Sequence, residues 1–185
     1  AEMESMRDMD VFEVVPRSEA RRKGKKIHRT KWVYALKQLA DGSIERFKAR
    51  LVLAGYSLEK GIDYYDSYSS VVGYATIRML MQIAVQEGMG VSSADVSTAY
   101  LHSPVADDQE VYVEMPRGFE EADGAYYCYK LKRCLYGAAF SGRGWQQTLN
   151  EFIMGELGFR RFKTDKCVFE KVVDGKRIIV VSYVD

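Results

Sequence analysis

Cysteine and histidine are scarce in this 185-residue chain, and the few present are not arranged as ligands. Cys128, Cys134 and Cys167 form an odd set without Cys-x-x-Cys spacing, and neither His28 nor His102 is near enough in sequence to complete a zinc motif. The cysteines therefore read as small, partly buried thiols. No run of about 18 apolar residues occurs, so no membrane-crossing helix is expected. The opening Ala1-Glu2-Met3-Glu4 lacks the basic and apolar pattern of a secretory signal, and the expectation is an intracellular protein. There is no internal repeat. What the chain does have is hydrophobic residues, 47% of the total, enough for one domain or two closely packed subdomains and too many for disorder as the main state.

The net charge of +1 conceals two opposed segments. From Arg17 to Lys31, eight cations face one carboxylate, Glu19, for a net +7. Such a segment suits contact with phosphates, or a solvated linker. From Asp107 to Asp123, seven carboxylates face Arg117 alone, for a net −6. That stretch would repel a nucleic-acid backbone and is expected on an outer face.

Patterning places the elements. Residues 1–30 are polar and weakly patterned, with a short strand expected at Val11–Val15 before Pro16. A hairpin is expected from Trp32–Lys37 and Ile44–Leu53 around Asp41-Gly42, a dipeptide that tolerates the positive φ of tight turns. Its second strand alternates Arg46, Lys48 and Arg50 with Phe47, Ala49 and Leu51, so the three cations share one face. Ile77, Leu80, Met81 and Ala84 predict an amphipathic helix over 74–86, with Gly88 and Gly90 as stop signals. Strands are expected at 91–96 and 111–114. A second helix is expected from Ser141, as N-cap, to Leu157, with Gly158 as the left-handed cap. A hairpin around Asp174-Gly175 ends in a strand running to Asp185. Mixed helices and hairpins indicate an α+β fold with an antiparallel sheet packed on helices.

Two acids stand at telling places. Asp185 follows the β-branched run Ile178–Val184, and Asp95 lies in Val91–Val96. Carboxylates side by side on neighbouring strands would form a site for a divalent cation, since hard oxygen ligands suit Mg²⁺ and substrate phosphates fill its other positions.

These residues, with others in order, resemble the reverse transcriptase domain of copia-type long-terminal-repeat retrotransposons. The resemblance runs from about Lys31 to Asp185. It is carried by Lys31-Trp32-Val33-Tyr34 with Lys37, Phe47–Val52 with Gly55-Tyr56, Gly61–Tyr64, Ser69 with Val71-Val72, and Thr76-Ile77-Arg78. Further on, Asp95-Val96 with Thr98–Leu101, Val111-Tyr112-Val113 with Pro116 and Gly118-Phe119, Leu135-Tyr136-Gly137 with Arg143 and Trp145, Gly158-Phe159, and Tyr183-Val184-Asp185 continue it.

The resemblance implies fingers and a partial palm of an RNA-directed DNA polymerase over 31–185, preceded by a basic arm or linker over 1–30. It implies two Mg²⁺ ions, or Mn²⁺ in their place, held by Asp95, Val96 and Asp185, with the two acids catalytic and a further acid expected directly after Asp185. Lys48 and Arg50 would take the nucleotide phosphates, and the Tyr100 ring would exclude the ribose 2′-hydroxyl. Arg143 and Lys37 would contact nucleic acid. The implied partners are an RNA or DNA template-primer, deoxynucleotides and the rest of a Pol polyprotein, with no membrane, in a cytoplasmic virus-like particle or the nucleus.

The chain also departs from the family's pattern. Ala138-Ala139-Phe140 stands where Leu-Lys-Gln is usual, removing polar contacts that position substrate. Ser70 replaces a usual proline and Ser103 a usual glycine. With thumb and RNase H absent from these residues, the expectation is a fragment inactive on its own. The other reading kept open is a non-catalytic nucleic-acid-binding remnant of a degenerate element.

Overall fold

The structure, a computed structural model, describes residues 2–183 and divides into two compact units, residues 1–67 with 98–145 and residues 68–97 with 146–185. The expected α+β class with antiparallel sheets is what it contains.

The first unit begins with α1 (Glu2–Asp8), β1 (Phe12–Pro16), α2 (Arg17–Arg22) and β2 (Ile27–His28), followed by β3 (Thr30–Gln38) and β4 (Ile44–Leu53). The remaining strands of this unit are β5 (Tyr112–Val113) and β6 (Tyr127–Leu131). Its larger sheet has the order β1-β6-β5-β2, antiparallel except for the β2/β5 pair. Strand alternation sorts the side chains onto its two faces. Val113, Tyr129 and Leu131 join Met3, Met6, Leu53, Leu101 and Leu135 in the main core, while Val15, Tyr112 and Cys128 close over Ala20 of α2 on the other face. Phe12 stacks on Tyr129 at 4.6 Å between ring centroids.

The first thirty residues thus differ from the arm expected of them. Short helices of six or seven residues are marginal by propensity, and these two persist because Met3, Met6 and Ala20 are buried. The basic and acidic segments, read separately as a phosphate-contacting arm and an outer face, are paired with each other in part, through Arg17 and Lys23, while Arg7 and Lys130 reach the acidic segment from outside the basic one. Lys23 Nζ lies 2.5 Å from Glu110 and 3.4 Å from Glu19, Arg17 lies 3.8 Å from Glu114, and Arg7 lies 2.5 Å from Glu121. Lys130 adds a second cation 2.8 Å from Glu110.

β3 and β4 form a separate two-stranded ribbon, closed where the Ser43 N–H and hydroxyl both donate to Asp41 Oδ1, at 2.9 and 2.6 Å, beside Gly42 at φ +84°.

The second unit contains α3 (Tyr74–Gln86), and α4 (Ser141–Glu151) crosses from the first unit's residues into it. β7 (Arg160–Arg161), β8 (Val168–Val173) and β9 (Lys176–Val181) form an antiparallel sheet in that order. Asp174 and Gly175 both have positive φ, 49° and 73°, as a two-residue type I′ hairpin requires. Ile77 and Leu80 of α3 pack on Val72, Cys167 and Val168, but Met81, expected on the same face, is half exposed.

Three further expectations are corrected. Ser141 opens α4 without capping it, because its hydroxyl donates to the Leu135 carbonyl at 2.7 Å. The helix does not run as α to Leu157; it passes into a π turn at Phe152–Glu156 before Gly158 at φ +69°. Residues 91–96 form no strand. Val91 and Val96 favour extended backbone, yet a strand exists only through a partner's hydrogen bonds, and among the described residues none is offered.

Hydrogen bonds from Lys130 and Lys23 hold the Glu110 carboxyl down at about 2, from the ordinary 4.5. A carboxyl depressed by folding stabilises the fold above its unfolded value and loses that contribution as pH falls through the folded one. Stability is therefore expected to fall between pH 4.5 and 2, and Glu110→Gln to flatten that limb. Because the group is partly exposed, the difference should be no more than about 1 kcal/mol in urea unfolding followed against pH.

Candidate nucleotide and nucleic-acid interface

The β3/β4 ribbon has two chemically distinct faces. Opposed residues share a face, so Lys37–Arg46, Ala35–Lys48 and Val33–Arg50 lie on one and Trp32–Leu51, Tyr34–Ala49 and Leu36–Phe47 on the other. Like charges directly opposite each other, as Lys37 and Arg46 are, weaken a pair of strands. Among the described residues no carboxylate lies at ion-pair distance from Lys37, Arg46, Lys48 or Arg50. Partial burial, with Arg50, Lys37 and Arg46 behind it, pushes the Lys48 ammonium below its ordinary pKa. Glu2 sits nearby, its carboxylate accepting the Leu51 N–H at 3.4 Å; burial raises its pKa despite the charges of Arg50 and Lys48. This face is built to receive negative charge.

Arg50 and Tyr100, fifty residues apart, meet on a third side chain. The Arg50 guanidinium lies over the Tyr136 ring at 5.2 Å, and the Tyr100 ring meets Tyr136 edge-on at 5.2 Å and 61°. Both separations are in the attractive range for a cation over a ring and for a T-shaped ring pair. Tyr100 is carried on a 3₁₀ turn, Ala99–His102, entered through Thr98 at φ 53°. A β-branched residue in that conformation is strained by about 1–3 kcal/mol, which the surrounding packing must sustain.

Two glycines fix Tyr136 to the ribbon. The Leu53 N–H donates to the Tyr136 carbonyl at 2.8 Å, so the loop continues from the end of β4. Gly137 at φ +82° has no room for a side chain: a Cβ there would lie 2.3 Å from the Leu53 oxygen. A Cβ on Gly55 would lie 1.9 Å from the Gly137 oxygen. Backbone therefore meets backbone at this junction, which only glycine permits on either side.

The other sequence-predicted residues are dispersed. Arg143 on α4 is paired with Asp66, 2.8 Å away, so its charge is already partly answered. Lys37 stands near the ribbon tip. Ala138 and Phe140 are buried in the main core and Ala139 is exposed, so the departure from Leu-Lys-Gln has been taken up by apolar packing at two positions of three. Asp95 and Val96 lie exposed in the irregular segment before Thr98, in the second unit. Asp185 lies outside the described residues, and with it the expected pairing of the two acids.

Among the described residues no group of three or more His, Cys, Asp or Glu side chains could hold a metal ion. Of the predicted ligands, Asp95 offers an exposed carboxylate, a donor chemically suited to a hard divalent cation. Tyr136 figured in the sequence only within Leu135-Tyr136-Gly137, with no site role assigned to it. Its signal was its place directly before a glycine with positive φ, but nothing in the sequence tied it to Arg50 or Tyr100.

Residues 9–185 match the family described as reverse transcriptase (RNA-dependent DNA polymerase), and the chain belongs to that family. It is 34% identical over 185 residues, its full length, to the retrovirus-related Pol polyprotein from transposon TNT 1-94 of Nicotiana tabacum, covering 13% of that protein. It is 34% identical over 156 residues to the Pol polyprotein from transposon RE1 of Arabidopsis thaliana, covering 84% of the chain and 10% of that protein. A Gag-Pol polyprotein of transposon Ty1-MR1 from Saccharomyces cerevisiae is 26% identical over 140 residues, 75% of the chain and 7% of that protein. The resemblance to copia-type elements holds, and the chain spans roughly an eighth or less of these relatives. No solved structure matches it.

The glycine junction yields a direct expectation. Gly55→Ala places a methyl group into the Gly137 carbonyl and should cost several kcal/mol, more than about 3, in urea unfolding, whereas Ala at Gly42, with open space around it, should cost about 1.

Proposed function

We propose that this chain forms the nucleotide-binding and part of the catalytic portion of an RNA-directed DNA polymerase of a copia-type element, adding deoxynucleotides to a primer 3′-hydroxyl. The observation that carries the reading is the meeting of Arg50 and Tyr100 on Tyr136 beside the cationic face of β4, within a chain of the reverse transcriptase family. In this reading Lys48 and Arg50 bind the triphosphate, their charge placed where negative charge develops in the transition state. Tyr100 closes the space that a 2′-hydroxyl would need, and Lys37 and Arg143 contact the template-primer. Asp95, the Val96 carbonyl and Asp185 would hold two Mg²⁺ ions, which when bound acidify the primer hydroxyl and neutralise the triphosphate. Template, primer, deoxynucleotides and the remaining Pol domains are the partners.

A second reading, nucleic-acid binding without catalysis, draws on Phe140, whose burial leaves no side-chain amide at that position. One experiment separates the two: primer extension and template binding measured on a chain that contains these residues and its continuation. Asp95→Asn is expected to lower extension by at least about 1,000-fold while salt-dependent template binding stays within about twofold. Loss of binding in proportion would make Asp95 structural and overturn its assignment. Template binding by the unaltered chain with no extension under Mg²⁺ or Mn²⁺ would favour the second reading.

A further inference from the structure

Tyr136 touches two of the three side chains to which the nucleotide has been assigned, Arg50 and Tyr100, and its own backbone is the best-anchored part of the group. The Leu53 N–H holds its carbonyl, Gly137 and Gly55 lock the loop against the end of β4, and its ring faces Arg50 and Tyr100 at 5.2 Å each. Arg50 is exposed on the cationic face of β4, with no carboxylate at ion-pair distance among the described residues, and an arginine so placed has many rotamers of similar energy. A ring beneath the guanidinium selects among them. Tyr100, for its part, depends on a turn entered through the strained Thr98, so its ring direction also needs an external support.

We propose that Tyr136 is a positioning residue for nucleotide selection: its ring sets the guanidinium of Arg50 and the ring of Tyr100 in one arrangement, coupling triphosphate affinity to discrimination between deoxyribose and ribose. This rests on the nucleotide-site reading above and goes beyond it. Tyr136 itself need touch no part of the nucleotide. The ring supplies both contacts, since attraction for the cation comes from the ring face and the contact with Tyr100 is ring to ring.

The test uses the chain with its continuation, measuring deoxynucleotide Kd by equilibrium binding and single-nucleotide extension with dNTP and rNTP. Tyr136→Phe, which keeps the ring, should stay closer to the unaltered protein than Tyr136→Leu in Kd and in deoxyribose selectivity. Tyr136→Leu should raise Kd and KM about tenfold and lower deoxyribose selectivity about fivefold, with a smaller change in kcat. Because leucine at this junction could impair folding, a second series places phenylalanine carrying one, two and three ring fluorines at position 136. Shape is nearly kept while the ring face becomes less negative, and Kd should rise stepwise.

Arg50→Ala and Tyr100→Val, measured in parallel, separate the two levels of the argument. If neither changes nucleotide Kd or sugar selectivity, the nucleotide-site reading itself is wrong. If both do, while the fluorinated series is flat or a folded Tyr136→Leu protein keeps Kd and selectivity, the positioning role is overturned. A fall in kcat alone would likewise overturn it.

Discussion

The first unit depends on one close approach between two stretches of backbone. Gly55, just past the end of β4, and Gly137, in the loop before α4, come so near that either would collide with the other's strand if it bore a methyl group. Through that contact the cationic ribbon is joined to the core instead of projecting from it on β3 alone. The Leu53 N–H and Tyr136 carbonyl close the junction, and Leu53, Leu135 and Ala138 continue directly into buried packing. Arg50 can meet Tyr136 because the two backbones are pressed together a few residues away.

Charge is distributed by the same logic of which groups find partners. Part of the chain's most basic stretch is answered by its most acidic one: Lys23 by Glu110, Arg17 by Glu114, with Lys130 sharing Glu110. Two of the eight cations read as a phosphate-contacting arm are thus neutralised internally by carboxylates of the acidic segment. On the ribbon face no carboxylate among the described residues answers Lys37, Arg46, Lys48 or Arg50, and the charges of Arg50, Lys37 and Arg46 help lower the pKa of Lys48 once its partial burial has begun the shift. Exposed ion pairs are each worth little, so the pairing matters chiefly for what it removes from the surface potential.

Much of the fold was legible because its signals are local. Asp41-Gly42 and Asp174-Gly175 mark their turns by the φ values they tolerate, and α3 follows the 3.6-residue period of Ile77, Leu80 and Ala84 to its observed ends. α1 and α2 were not legible, since their helicity comes from the burial of Met3, Met6 and Ala20 by residues far along the chain. β6 was missed beside a conspicuously charged stretch, although Cys128, Tyr129 and Leu131 are buried there. In the site, Lys48 and Arg50 could be placed on one face by period two, but their meeting with Tyr100 through Tyr136 is a contact across some eighty residues of chain. Asp95 shows the opposite failure: β-branched flanks suggested a strand, and hydrogen-bond partners, which no local pattern specifies, were lacking.

The π turn at Phe152–Glu156 has its own implication for how this chain tolerates changes in length. There the Leu157 N–H reaches back five residues to the Phe152 carbonyl, so the coil holds one residue more than an α-helix would for the same advance. Removing a residue from this stretch would let the ordinary four-residue spacing close, with Gly158 still able to end the helix; the cost would fall on side-chain direction, a rotation of about 100° per residue. The junction between α4 and β7 is thus a point at which this chain could lose one residue while the elements on either side remain threaded as they are.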